Sequence, residues 1–290
     1  LIANYGFMTA YEGTERTLRI LESLPDVDHF ILYHTTDVHP LNIQTPMKFS
    51  TETEVNIPLA HRFVPLDPSV PSVRTPRLPI YLEQFLVNMH HVDRSIGEIL
   101  SYIEAHYTPD EYIVNLYSDH GVSIFTQGEP DLMGEKTTSA AWMIRGAGVP
   151  QGIVTDELTS ITDIYPTLGT LCGFPVSPDI DGNLPAAFGG HTRDAVYSAS
   201  MFPGQTYKLA VRNKTHTLRL ETREVVDEDG TVDFADAKVG IYPRAYELAA
   251  SCASDSEDLR AFFYPRARDF VRPIANNGEF WPAMRAARPS

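Results

Sequence analysis

The sequence predicts an α/β protein with a mostly parallel sheet covered by helices on both faces, followed by a small C-terminal α+β subdomain with antiparallel strands. Up to about residue 185, short apolar runs alternate with segments of helical periodicity, which is the pattern of a parallel sheet. Beyond residue 190, apolar and polar residues alternate as they do in antiparallel strands. A chain of 290 residues is long enough for both parts. We place them at residues 1–189 and 190–290.

The first elements are a helix, a buried strand and a long loop. "TERTLRILESL" (14–24) carries leucines at helical spacing, and "DHFILYHTT" (28–36) has four consecutive apolar residues between polar ends. Residues 37–79 contain eight prolines and no sustained period. A loop of that length usually carries function or disorder.

The next elements continue the alternation of helix and strand. Residues 78–106 place apolar side chains on one stripe at 3.6-residue spacing, which predicts the longest helix. Residues 111–119 and 139–146 predict strands. Residues 159–173 predict a helix that begins at a Thr-Ser cap and ends at a glycine.

Residues 190–290 have a different pattern. Three alternating segments predict antiparallel strands: "AVYSASM", "YKLAVRN" and "HTLRLETREVV". "DEDG" marks a turn, and "SDSEDLRAFFYPRARDFVRPI" predicts a terminal helix.

Composition and charge exclude several classes of partner. The formal net charge of −15 argues against a nucleic-acid backbone, although a local cationic pocket or a bound metal still permits an anionic small substrate. No apolar run approaches the length of a membrane span, so we expect no membrane partner. The two cysteines, Cys172 and Cys252, lie far apart without metal-type spacing, which indicates no disulfide framework and favours a reducing compartment.

Chemically active side chains follow the ends of two predicted strands. In "LYSDHGVSIF" (116–125), Asp119 and His120 end an apolar run, and Gly121 allows the backbone to turn sharply. In open α/β sheets ligands bind at the carboxyl ends of strands, and a carboxylate with an imidazole suits a divalent cation. A plain polar turn explains the same residues equally well.

The second strand end and a nearby loop add three candidates. "FILYHTTDVHP" places His34 at a strand end, with His39 a few residues later. Lys136 lies in a loop before the strand at 139–146, where it is either a solvated charge or a group that steadies an anionic oxygen of a substrate.

In this order, the segments resemble the C-terminal half of the sulfatase family, within the alkaline-phosphatase superfamily. The resemblance rests on "LYHTTDVHP", "VDRSIGEILSYIEAHYTPDEYIVNLYSDHG", "GEKTTSAAWMIRGAGVPQG", "TSITDIYPTLGTLCGFP" with "DIDGNLP", and "YKLAVRNKTHTLRLE". It covers roughly residues 10–220.

The resemblance implies a role for each candidate. Asp119 and His120 would be ligands of a divalent cation, calcium in most sulfatases, and Lys136 would bind a sulfate oxygen. His39 would contact the sulfate or protonate the leaving oxygen, with His34 as a second candidate. The implied substrate is a sulfated small molecule or carbohydrate.

The sequence departs from the family in what it lacks. It contains no Cys/Ser-X-Pro/Ala-X-Arg nucleophile motif, no paired N-terminal aspartates and no Lys-X-X-His segment. We therefore expect the chain to begin partway into the family fold, with about 150–200 residues upstream. Since calcium takes six to eight ligands, we also expect the 290-residue chain alone to bind metal poorly and to be inactive without the missing N-terminal segment.

Two other functions remain open from the sequence. Histidine at position 120 suits manganese or zinc better than calcium, which leaves room for a phosphodiesterase, phosphonate hydrolase or phosphoglycerol transferase of the same superfamily. A non-catalytic binding module on the same fold is the third possibility. The upstream nucleophile distinguishes the three: a cysteine or serine, a threonine, or none.

Overall fold

A computed structural model describes residues 10–35, 37–38, 79–121, 133–227, 230, 232–244 and 256–274, with the side chains of the longest helix described from residue 85 onward. The chain divides into two compact units. The first comprises residues 1–113 and 124–130, and the second comprises residues 114–123 and 131–290. The predicted boundary between residues 189 and 190 stays a prediction.

The first unit contains helices α1 (Ala10–Ser23) and α2 (Pro79–His106). Asp37 joins them: its Oδ2 accepts a hydrogen bond from the Ala10 backbone nitrogen at 2.5 Å, and its carbonyl accepts one from Asn88 Nδ2 at 2.5 Å. The carboxylate thus binds the backbone N–H of the first described residue of α1, while α2 holds the backbone of the same aspartate.

Tyr33 packs its ring directly against α1. Its hydroxyl donates to the Ala10 carbonyl at 2.8 Å. A Cβ at Gly13 would lie only 2.1 Å from a carbon of that ring. Glycine at position 13 therefore lets the aromatic ring lie flat on the helix backbone.

The predicted buried strand at 28–36 is wrong for the described residues. Between residues 28 and 35 the backbone forms no strand, and Phe30 and Leu32 are 80% and 65% exposed. A strand needs a neighbour that satisfies its backbone groups, and this segment pairs with none of the described strands.

Helix α2 forms as predicted, and Val92, Ile96 and Ile99 of its apolar stripe are half-buried, but the stripe is not packed along its whole length. Leu86 and Met89 are 58% and 44% exposed, whereas Asn88 and Ser95 are buried. The hydrogen bond from Asn88 to the Asp37 backbone turns this polar side of the helix inward.

Near the start of the second unit, β1 (Ile113–Tyr117) and β2 (Trp142–Gly146) form a two-stranded sheet. The one-turn helix α3 (Glu135–Thr138) comes directly before β2 in the chain. Both strands lie within the predicted segments 111–119 and 139–146. The indole nitrogen of Trp142 donates to Asn115 Oδ1 at 2.6 Å, which ties the two strands together.

Helix α4 (Ile164–Cys172) follows a 3-10 turn and confirms the predicted helix at 159–173. Ser160 caps the 3-10 turn that leads into the helix, in a reciprocal capping box with Asp163. Gly173 ends the helix in the left-handed region, with a φ of 73°.

Asp163 also holds the loop that follows α4. It is 1% exposed, and its Oδ1 accepts hydrogen bonds from the Asn183 backbone nitrogen at 2.8 Å and from the Arg193 guanidinium. Oδ2 accepts from the Ser160 backbone nitrogen at 2.8 Å. One buried, paired carboxylate therefore fixes the helix start and two distant points of the chain.

The remaining strands form an antiparallel sheet in the order β3-β4-β5-β6, in which the first three strands were predicted and β6 was not. The strands are β3 (Val196–Ser200), β4 (Thr206–Arg212), β5 (His216–Val225) and β6 (Lys238–Pro243). Leu209 faces Leu220, and Leu218 faces Ile241. These side chains pack with Phe263 of the predicted terminal helix α5 (Glu257–Val271) in one apolar core.

Among the described residues, no helix combines the length and the apolar character that crossing a membrane requires.

Candidate functional site

The Asp119-His120-Gly121 turn follows β1 immediately. Asp119 Oδ1 accepts a hydrogen bond from the His120 backbone nitrogen at 2.9 Å, and His120 Nδ1 lies 2.7 Å from the Gly121 carbonyl oxygen. A carbonyl can only accept, so Nδ1 carries a proton. The other ring nitrogen, Nε2, is thereby left to face a ligand, the arrangement that metal-bound histidines usually have.

The two potential donor atoms of this turn are close together. His120 Nε2 lies 3.6 Å from Asp119 Oδ2, and both side chains are more than half exposed. Two ligands at bond lengths of about 2.1–2.5 Å, in octahedral or tetrahedral geometry, lie about 3.0–4.1 Å apart. The spacing fits two adjacent ligands of one cation.

The loop that carries Lys136 lies directly against this turn. The Gly121 backbone nitrogen donates to the Thr137 carbonyl at 2.7 Å, and the Ser118 nitrogen donates to the Ala141 carbonyl at 3.0 Å. A Cβ at position 121 would lie 2.2 Å from the Lys136 carbonyl oxygen. The structure therefore brings together the backbones around Asp119, His120 and Lys136.

Gly121 serves a different purpose from the sharp turn expected of it. It is not among the glycines with positive φ. What requires glycine is the close approach of two backbone segments, since any larger residue would collide with the carbonyls of Lys136 and Ser139.

Lys136 is exposed, and its loop is anchored from the antiparallel sheet. Arg244 forms an ion pair with Glu135, and the Arg212 guanidinium donates to the Met133 carbonyl. Sequence reasoning gave these arginines no role, because arginine near the end of a strand is ordinary and their partners are far away in the sequence.

The two histidine candidates stay predictions. His34 is exposed and lies in the first compact unit. His39 lies outside the described residues. Asp37, between them, is buried as the cap of α1, and burial raises its pKa above the ordinary range, although hydrogen bonds from Ala10 and Thr35 oppose that shift.

Within the described parts of the chain, no group of three or more His, Cys, Asp or Glu side chains could hold a metal ion. Asp119 and His120 therefore offer two ligands, which fits part of a divalent-cation site. A hard cation such as calcium needs several more oxygens.

An open cavity of about 630 Å³ lies elsewhere in the second unit, between the loop at 153–158 and the turn at 213–215. None of the predicted site residues lines it. Its cations are already paired, Lys214 with Asp156 at 2.9 Å and Arg193 with Asp163. The cavity is therefore less suited to an anionic ester than the surface beside Lys136.

Comparison with known proteins identifies the family. The family model described as Sulfatase matches residues 6–174, which is more than half of the chain and includes the turn and the lysine loop. The chain belongs to the sulfatase family.

A curated sulfatase of Formosa agariphila is 25% identical over 222 residues. The match covers 73% of this chain and 42% of that protein. The chain thus spans less than half the length of this sulfatase.

Solved structures share the fold. One is a protein from a Bacteroides thetaiotaomicron locus for the metabolism of multiple glycosaminoglycans, with a TM-score of 0.63, 17% identity, and coverage of 91% of this chain and 59% of that one. Another is Ps i-CgsB in complex with a neocarrahexaose, with a TM-score of 0.59, 13% identity, and coverage of 96% and 58%. These likenesses confirm the α/β fold predicted from the sequence.

Proposed function

We propose that the protein to which this chain belongs is a metal-dependent sulfatase that hydrolyses sulfate esters. The observation that carries the proposal is the docking of the Asp119-His120-Gly121 turn on the Lys136 loop, through the 2.7 Å hydrogen bond from Gly121 to Thr137. It places two potential metal ligands and a cation on adjoining segments of a chain that belongs to the sulfatase family.

Each candidate has a distinct role in this proposal. Asp119 Oδ2 and His120 Nε2 would hold the cation, for which calcium is the first choice, and a cation there would supply positive charge opposite the ester oxygens. The Lys136 ammonium pairs with a sulfate oxygen. His39 contacts the sulfate or protonates the leaving oxygen, and His34 is the second candidate for that role.

The substrate class that we propose is a sulfated carbohydrate. Two proteins of the same fold support it: one is seen with a neocarrahexaose, and another belongs to a locus for glycosaminoglycan metabolism.

We further propose that an N-terminal segment of the same protein, upstream of Leu1, completes the site. The segment at 28–35 is exposed although it is apolar, with Phe30 80% and Leu32 65% accessible. An apolar segment of this kind is normally covered. The upstream residues would supply the nucleophile and the remaining metal ligands, so the 290-residue chain alone is inactive and binds metal weakly.

The first experiment compares this chain with a longer form that includes the upstream residues, using an aryl sulfate as substrate. We expect turnover only from the longer form. Turnover by the 290-residue chain would show that the site is complete without the upstream segment.

The second experiment tests the lysine in the longer form. Removing one charge-stabilising donor typically lowers kcat by about 10²–10³-fold, so Lys136→Met should lower kcat/KM for the aryl sulfate to that extent. Lys214→Met is the matched control, since Lys214 is an exposed lysine outside the proposed site, and it should change kcat/KM less than twofold. Equal effects of the two changes would contradict the assignment.

A superfamily phosphoesterase is the second candidate, and histidine at position 120 favours it because imidazole suits manganese and zinc. The longer form should therefore also be assayed with a phosphodiester and a phosphonate monoester, each with calcium, manganese or zinc. Preference for a phosphorus ester with manganese or zinc would replace the sulfatase assignment by this one.

A further inference from the structure

The one-turn helix α3 carries Lys136 but cannot fix its own position. It has only four residues, Glu135–Thr138, and a single turn is not stable by itself. On one side, the carbonyl of Thr137 accepts the hydrogen bond from Gly121. Contacts from elsewhere must therefore set where the lysine lies.

Two arginines of the antiparallel sheet make those contacts. The Arg244 guanidinium pairs with the carboxylate of Glu135, the residue next to Lys136, and both side chains of the pair are about one-third exposed. The Arg212 guanidinium donates to the carbonyl of Met133, and both of these residues are buried. A buried charge is costly unless it is hydrogen-bonded, so this contact fixes the loop strongly.

The sheet topology places the two arginines at the same end of the sheet. Thr217 of β5 faces Arg212 on β4 and Tyr242 on β6. Arg244 follows two residues later, and its backbone nitrogen donates to the Thr215 carbonyl at 3.0 Å. The arginines therefore project from a hydrogen-bonded end of the sheet rather than from a free loop.

We propose that Arg244 and Arg212 are positioning residues that hold the Lys136 loop against the Asp119-His120-Gly121 turn, so that the C-terminal sheet sets the affinity of the site for an anionic group. This inference rests on the proposed function and deepens it. It assigns to the small subdomain a part in binding the sulfate group, although neither arginine touches the substrate.

The test uses the longer, active form and measures kcat/KM for an aryl sulfate, the inhibition constant of inorganic sulfate, and the melting temperature. Arg244→Met and Glu135→Gln should each raise the sulfate inhibition constant about tenfold. The charge exchange Glu135→Arg with Arg244→Glu should restore it to within about threefold, because the ion pair is re-formed in the opposite sense.

The control is Arg266→Met. Arg266 is an arginine of nearly equal side-chain exposure, 33% against 32% for Arg244, paired with Asp194. Arg266→Met should leave the sulfate inhibition constant within about twofold of the wild-type value. Distant, independent sites usually act additively, and deviations of about this size are common.

Epistasis separates positioning from general stability. If Arg244 acts through Lys136, adding Arg244→Met to Lys136→Met should leave the sulfate inhibition constant unchanged while still lowering the melting temperature. If Arg244→Met does not fold, Glu135→Gln and Arg244→Lys carry the same comparison.

The outcomes distinguish the two proposals. Failure of the longer form to hydrolyse an aryl sulfate overturns the proposed function, and a Lys136→Met variant with wild-type turnover and wild-type sulfate inhibition overturns the role given to Lys136. A Lys136→Met variant that loses sulfate inhibition beside an Arg244→Met variant that keeps it overturns this inference alone.

Discussion

Replacement of Gly121 by alanine perturbs the contact on which the candidate site depends. The new Cβ would lie 2.2 Å from the Lys136 carbonyl oxygen and 2.6 Å from that of Ser139. Both atoms belong to backbone, so no side chain can swing away, and the turn would have to move by about 1 Å. That shift would break the 2.7 Å hydrogen bond from Gly121 to Thr137.

The size of the effect follows from these contacts. Overpacking costs about 1–3 kcal/mol, and the lost hydrogen bond costs about 1 kcal/mol. Alanine also restricts the unfolded chain, which offsets about 0.4–1 kcal/mol. The unfolding free energy should fall by about 1–3 kcal/mol. With a typical slope of unfolding free energy against urea concentration, the urea midpoint falls by about 1 M.

The assay is urea unfolding followed by circular dichroism, with Gly97→Ala as the control. Gly97 is an exposed glycine inside α2, and a Cβ there would meet nothing within 4 Å. Alanine favours helices over glycine by about 1 kcal/mol, so the control should unfold at a higher midpoint. If Gly121→Ala unfolds at the wild-type midpoint or above, the turn is not held against the Lys136 carbonyl.

Three further changes give expected outcomes of different kinds. Asp163→Asn should lower the unfolding free energy by about 3–5 kcal/mol in urea titrations, because it leaves the Arg193 charge without its buried partner; Asp156→Asn, at an exposed pair, should have little effect. Burial raises the pKa of Asp37, so its stabilising contribution is fully present below its ordinary pKa and is lost as pH rises through the folded value. The difference in unfolding free energy between wild type and Asp37→Asn should therefore shrink as pH rises above the ordinary aspartate pKa of about 3.9, and a difference that grows would contradict the burial argument. Leu32→Asp should leave the melting temperature of the 290-residue chain nearly unchanged, since Leu32 is 65% exposed, but should destabilise a longer form by about 1.5–3 kcal/mol if upstream residues cover it; equal melting shifts in both forms would argue against such a cover.

Periodicity predicted the helices and most strands well, because the spacing of apolar residues along a segment largely distinguishes helix from strand. It failed where burial depends on something other than the local pattern. The apolar run at 28–36 predicts a core strand, but Phe30 lies exposed. On α2, a hydrogen bond to Asp37 makes Asn88 part of the packed side while Leu86 faces outward. No apolar stripe can reveal a polar contact made across 51 residues.

The candidate site was predictable in part for a similar reason. Asp119 and His120 follow a strand, and the rule that ligands gather at strand ends finds them. Lys136 was singled out by its position in a loop before a strand, and the family resemblance alone implied that it binds a sulfate oxygen. The arginines were missed because Arg212 and Arg244 meet the lysine loop across 79 and 109 residues respectively, and no local pattern encodes such contacts.

The Asp37 carboxylate accepts a hydrogen bond from Ala10 in the first turn of α1, 27 residues upstream. The Asp37 carbonyl accepts one from the side chain of Asn88, 51 residues downstream. During synthesis, α1 would therefore emerge with a frayed beginning, and its start could be settled only after the whole of α2 had left the ribosome. Removing the Asp37 side chain would weaken the packing of both helices, so α1 and α2 should unfold cooperatively.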